Sequence, residues 1–280
     1  MSDRVRANQL PLKRPLTDAA NLSWIVAVLM AAASLAGLTF PSTLYATTEL
    51  QQSYLTNDIV NLIVGLPVLL GAIWFARRDS LLGLLLWPGA LLYVIYNYLA
   101  YAFGNPLGWL TFVSLALVVI SMLAIINLIG CIEADDVKKR LVDVAPRRFA
   151  GGVMLVFGAF FILRTASIIF GAFSEQTSLP ITEIGVAVAD VALSVLLIIG
   201  GVLLLQRNSW GFVFGLGLLF AASTLFIGLL IYLILQPFLS DVFFAWIDFL
   251  VVLLMSLVCF VPFGLYVRAI RKSISIEVEN

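Results

Sequence analysis

Residues 109–131 read WLTFVSLALVVISMLAIINLIGC, a stretch without one charged side chain that begins on Trp109 and ends on Cys131. A helix needs about 20 mainly apolar residues to cross a bilayer, and hydrocarbon leaves no water to satisfy an open backbone. The stretch therefore reads as a spanning helix. Seven further apolar runs of comparable character cover 22–40, 59–76, 81–103, 150–173, 184–205, 210–235 and 242–267. They are too long for barrel strands of about 9–11 residues, and they lack alternation at period two. The expected fold is all-α: a polytopic membrane protein of about eight transmembrane helices.

Composition agrees with that reading and narrows the chemistry. Of 280 residues, 62% are hydrophobic and 11% charged, and mean hydropathy is +1.09. Sixteen Lys and Arg balance sixteen Asp and Glu, so no net charge recruits nucleic acid. Histidine is absent, which removes His-ligated haem, His-containing zinc sites and Ser-His or Cys-His nucleophile pairs. Cys131 and Cys259 are too few for an iron–sulfur cluster or a thiolate cage. No cofactor or metal is expected. No phosphate-cradling Gly-rich loop, zinc-protease helix or nucleophile elbow occurs either.

Loop charges orient the chain. If the N-terminus is cytoplasmic, then Arg4, Arg6, Lys13, Arg14, Arg77, Arg78, Lys138 to Arg140, Arg147, Arg148, Arg207, Arg268, Arg271 and Lys272 all fall inside. The opposite loops carry acidic charge, among them Glu49, Glu175 and Asp241. Both termini are thus expected on the cytoplasmic side of a plasma or inner membrane, with the first run retained as a helix because no small-residue cleavage pattern follows it.

Echoes along the chain suggest two parallel halves. Asp58-Ile-Val-Asn61 and Arg77-Arg-Asp-Ser80 in the first half match Asp190-Val-Ala-Leu193 and Gln206-Arg-Asn-Ser209 in the second, and Trp109-Leu-Thr-Phe112 matches Trp246-Ile-Asp-Phe249. The expected organisation is a first four-helix half at 1–131, a cytoplasmic linker at 132–149 and a second four-helix half at 150–280. Within the linker, Asp135/Lys139 and Asp136/Arg140 fall at i,i+4. Gly65-Leu-Pro67 and Trp87-Pro-Gly89 interrupt helices two and three, while Gly200, Gly201, Gly211, Gly215 and Gly217 fall in the matching helices of the second half. Such interruptions either line a carrier's cavity or let helices pack closely, as the GxxxG at 211–215 does.

Charge inside apolar runs is costly, about 2.5–3.5 kcal/mol per group at the bilayer centre, and so points to function. Arg164 lies about nine residues, roughly 14 Å, below the outer end of helix five, and Asp190 about six residues below that of helix six. A pair across that hairpin is expected. Asp58 and Asn61 share a face of helix two, Tyr93, Asn97 and Tyr101 share a face of helix three, and Asp248 lies near the outer end of helix eight. Arg164, Asp190, Asp58, Asn61, Asn97 and Asp248 are therefore the candidate substrate-binding residues of an outer polar vestibule between the halves. The alternative is an interhelical lock joining Arg164 to Asp190, with Tyr93 to Tyr101 as an interfacial aromatic belt. Functionally the chain reads as a small-molecule or ion carrier or binding protein surrounded by membrane lipids. A membrane-embedded enzyme acting on lipid or quinone, and a non-catalytic partner or sensor subunit, stand as the other readings.

Overall fold

In the computed structural model, residues 10–240 and 243–279 are described, with side chains described through Lys272. Arg4, Arg6, Asp241 and Val242, all used above, lie outside the described residues. Eight helices are long and apolar enough to cross a membrane: α1 Thr17–Thr39, α2 Thr48–Ala76, α3 Leu81–Phe103, α4 Trp109–Cys131, α5 Arg147–Glu175, α6 Ile181–Leu205, α7 Ser209–Leu239 and α8 Trp246–Lys272. The chain is an all-α polytopic membrane protein. Two short helices, Pro41–Leu44 and Ala134–Leu141, sit between spans.

α3 and α7 form the centre and touch each other, while α2 and α6 each pack against both. α1 closes onto α2 and α4, and α5 lies along α6. The outer shell of the bundle is apolar, with Leu163, Phe170 and Phe173 of α5 and Leu254 and Val258 of α8 exposed. That surface matches a lipid solvent. Because lipid supplies no hydrophobic drive between helices, the centre relies on close backbone approach. A Cβ on Gly89 of α3 would overlap the carbonyl of Gly217 in α7, and one on Gly217 would press against the backbone of Leu85 and Gly89. Only glycine permits this crossing.

The α2–α3 and α6–α7 hairpins are built alike. Asp79 and Arg207 are each left-handed, at φ 57° and 56°. The Ser80 amide then donates to Phe75 O and the Asn208 amide to Leu203 O, which satisfies the end of the preceding helix. Ser80 and Asn208 next cap α3 and α7 through their side chains. Gly83 and Gly211 pass against the backbones of Phe75 and Ala76, and of Leu203 and Leu204. The sequence interval between partners is the same for Asp79/Arg207, Ser80/Asn208, Gly83/Gly211 and Gly89/Gly217.

Two helices depart from the sequence reading. α2 begins at Thr48, not 59, because Thr47 accepts from the Leu50 amide as N-cap and because Leu50, Tyr54 and Thr56 are buried against neighbouring helices. The polar stretch 48–57 hides this extension from any hydropathy window. Inside α2, Asn61–Gly65 is a π-helical turn. Pro67 has no N–H for the carbonyl four residues earlier, and the wide turn just before it accommodates that loss. Pro88, by contrast, sits within α3 without interrupting it.

Pieces of chain far apart in sequence meet at the basic end. Leu12 bridges Ile132, the Lys13 amide donates to Cys131 O, and Lys13 pairs with Glu133 at 3.4 Å. The helix Ala134–Leu141 tucks Val137 and Leu141 under α7, and Ser209 donates to Asp135. Lys139 pairs with Asp136 at 2.9 Å, at i,i+3 and not with Asp135 as the spacing suggested.

Candidate functional site

Five of the six candidate residues separate into two groups, both held by tyrosines of α3, and the sixth, Asp248, lies apart from them. Tyr93, Asn97 and Tyr101 recur every fourth residue and face α2, whereas Tyr96 turns toward α6.

In the first group, Asp58 stands ten residues into α2, about 15 Å from its start. It is 2% exposed. Oδ2 accepts from the Tyr45 hydroxyl at 2.5 Å and Oδ1 from the Tyr101 hydroxyl at 2.9 Å. No Lys or Arg among the described residues pairs with it. Gly37 of α1 makes room for this carboxylate, since a Cβ there would collide with it. One turn earlier on α1, Ser34 is fully buried without a hydrogen-bond partner. The phenols form a stack: Tyr54 lies 4.3 Å from Tyr101 and 5.4 Å from Tyr45 between ring centroids, and its hydroxyl donates to Gly104 O at 2.7 Å. One helical turn deeper, Asn61 opens the π-helical turn. Its Oδ1 accepts from Tyr93 at 3.3 Å while its buried Nδ2 finds no acceptor. Asn97 joins the group by accepting from Asn57 Nδ2 at 3.3 Å and donating to Tyr93 O.

In the second group, Arg164 Nη1 of α5 lies 3.1 Å from Asp190 Oδ2 of α6, and the Tyr96 hydroxyl donates to Oδ1 at 2.7 Å. Asp190 is 6% exposed, but the Arg164 side chain is 44% exposed. Ser194, one turn below Asp190, and Thr165, next to Arg164, are buried without hydrogen-bond partners. Ser167 is exposed. Asp248 is exposed on α8 and makes no hydrogen bond or ion pair with either group.

Tyr45, Tyr54 and Tyr96 were missed by sequence reasoning. For Tyr45 one signal was available: a carboxylate that no cation reaches must take its hydrogen bonds from neutral donors, and phenols are strong ones in an apolar chain without histidine; Tyr54 and Tyr96 left no such signal, since Tyr54 donates to a backbone carbonyl and Tyr96 to a carboxylate that already has Arg164. Tyr93, Tyr98 and Tyr101 are buried within the bundle and do not form an interfacial belt. Chemically, the two carboxylates differ in one respect that matters. Asp190 has a fixed counter-charge; Asp58 has none among the described residues. Among the described residues no cluster of His, Cys, Asp and Glu is suited to a metal ion. Compared with family models, curated proteins and solved structures, the chain matches none at a significant level, so the site is read from its own chemistry.

Proposed function

We propose that the chain is a proton-coupled membrane carrier of a small anionic solute, with Asp58 as the proton site and Arg164 as the solute's cationic anchor. The observation that carries this reading is the Asp58 carboxylate, buried at 2% exposure with two phenol donors and no cation. An isolated ionised carboxylate in a low-dielectric interior is costly enough that it exchanges its charge for a proton when it can. A proton requires only that one hydroxyl rotate. A metal ion would have to displace both phenols, and among the described residues no cluster of metal-ligating side chains surrounds Asp58.

Arg164 suits the second role because its guanidinium gives one nitrogen to Asp190 while almost half the side chain stays accessible. Its remaining N–H groups form a planar donor set that fits a carboxylate or phosphate. In the same reading, the chain is a tandem duplication, residues 1–131 and 150–280, and the halves rock about the α3–α7 crossing at Gly89 and Gly217. The matched hairpins and the equal interval between their residues support this division. Both termini are assigned to the cytoplasmic side of a plasma or inner membrane, on the strength of the basic loops.

The test uses purified protein in liposomes that enclose a pH-sensitive dye. Addition of a panel of small carboxylates and phosphates outside should acidify the interior for at least one solute, and Asp58→Asn should abolish the signal. Acidification no faster than in protein-free liposomes for every solute, or an unchanged signal in Asp58→Asn, overturns the reading.

A further inference from the structure

Two adjoining clefts open at the basic end of the bundle, away from both groups described above. The larger, of about 460 Å³, lies between Trp24 of α1 and Leu70, Gly71, Trp74, Arg77 and Arg78 of α2. The smaller, about 280 Å³, shares Trp24 and Arg77 and continues to Asn21 and Asp79. A volume of this order is that of a small-ligand site.

The α2 side of the larger cleft is graded. Leu70, Trp74, Arg77 and Arg78 fall at i, i+4, i+7 and i+8, so one helix face runs from apolar to cationic as it approaches the membrane boundary. Gly71 leaves a slot beside them, since a Cβ at that position would meet nothing within 4 Å. Arg78 rests its guanidinium carbon 3.8 Å from the centre of the Trp74 ring. That contact holds the fork in place while its in-plane N–H donors remain available. Among the described residues, neither Arg77 nor Arg78 is paired with a carboxylate.

We infer that this cleft holds one anionic phospholipid, its phosphate on Arg77 and Arg78 and an acyl chain in the Gly71 slot between Trp24 and Trp74. Charge complementarity and shape select the same occupant. Two arginines at the boundary attract an anionic headgroup, and the slot below them is apolar and open toward the bilayer. The adjoining Asn21 can hydrogen-bond headgroup hydroxyls, which a glycerol or similar polyol headgroup has and choline lacks. A free phosphate would use the arginines alone and leave the slot empty.

Native mass spectrometry of the intact detergent-solubilised chain tests this with phosphatidylglycerol and phosphatidylcholine of equal acyl length. Phosphatidylglycerol should bind the wild-type protein roughly tenfold or more tightly than phosphatidylcholine. Arg77→Gln with Arg78→Gln should remove that preference. Gly71→Leu fills the slot without altering charge or meeting a neighbour at Cβ, and should weaken phosphatidylglycerol binding by a similar factor while the lipid-free melting temperature does not fall. If the double arginine variant does not fold, Gly71→Leu carries the test. Equal binding of the two lipids, wild-type binding by Gly71→Leu, or displacement of phosphatidylglycerol by inorganic phosphate at matching concentration overturns the inference.

Discussion

The Tyr45 hydroxyl reaches from the α1–α2 connection to Oδ2 of Asp58 at 2.5 Å, and so ties a residue outside the spans to a carboxylate far down α2. With Tyr101 on the other oxygen, the carboxylate is satisfied by neutral donors from two separate elements.

Removal of either donor should therefore cost stability through Asp58. Tyr45→Phe and Tyr101→Phe are each expected to destabilise the protein by about 1–3 kcal/mol, because each leaves a buried carboxylate oxygen without a partner. In an Asp58→Asn background the same changes should cost less. Thermal or denaturant unfolding of the single and double variants checks this, and simple additivity would show that the hydroxyls do not act on Asp58.

The Arg164 to Asp190 pair should respond more mildly than a sealed one. Breaking one side of a dry buried pair typically costs about 3–5 kcal/mol, but the Arg164 side chain is 44% exposed, so Arg164→Ala is expected nearer 1–3 kcal/mol. The double change Arg164→Leu with Asp190→Leu should recover folding. Solute-driven proton movement should not recover with it if Arg164 anchors the solute; its recovery would assign the pair to a structural lock.

Glycine positions should divide sharply by what lies opposite. Gly89→Ala drives a methyl into the Gly217 carbonyl and should destabilise by about 1–3 kcal/mol or more. Gly71→Ala meets open space in a helix and should be neutral, or stabilising by up to about 1 kcal/mol. Melting temperatures in one detergent decide it, and equal effects at the two positions would place the helix crossing elsewhere.

Thiol labelling reads the orientation. Both native cysteines are buried, so background reaction with an impermeant maleimide in intact cells should be small. Leu107→Cys, in the 85% exposed loop position between α3 and α4, should label from outside, and Lys139→Cys should label only after the membrane is opened. The reverse pattern would invert the assigned topology.

Eight spans could be read from the order of residues alone, because a helix in hydrocarbon must satisfy its own backbone and so announces itself as an apolar run of sufficient length. The hairpin partners Arg164 and Asp190 were legible for a related reason: depth follows from counting along two consecutive helices, and one short loop brings similar depths together. Asp58 was singled out from the sequence, but its depth and its donors were not legible in this way. Its helix begins in the polar stretch after Thr47, which hydropathy cannot assign to a span, and its donors come from Tyr45 and Tyr101, on other elements whose facing directions no local pattern encodes. Tyr93 and Tyr101 likewise have a composition suited to either a lipid-facing belt or a buried network. Only the packing of α3 among α2, α4, α6 and α7 decided which, because in a membrane both faces of a helix are apolar, and burial depends on which neighbour arrives.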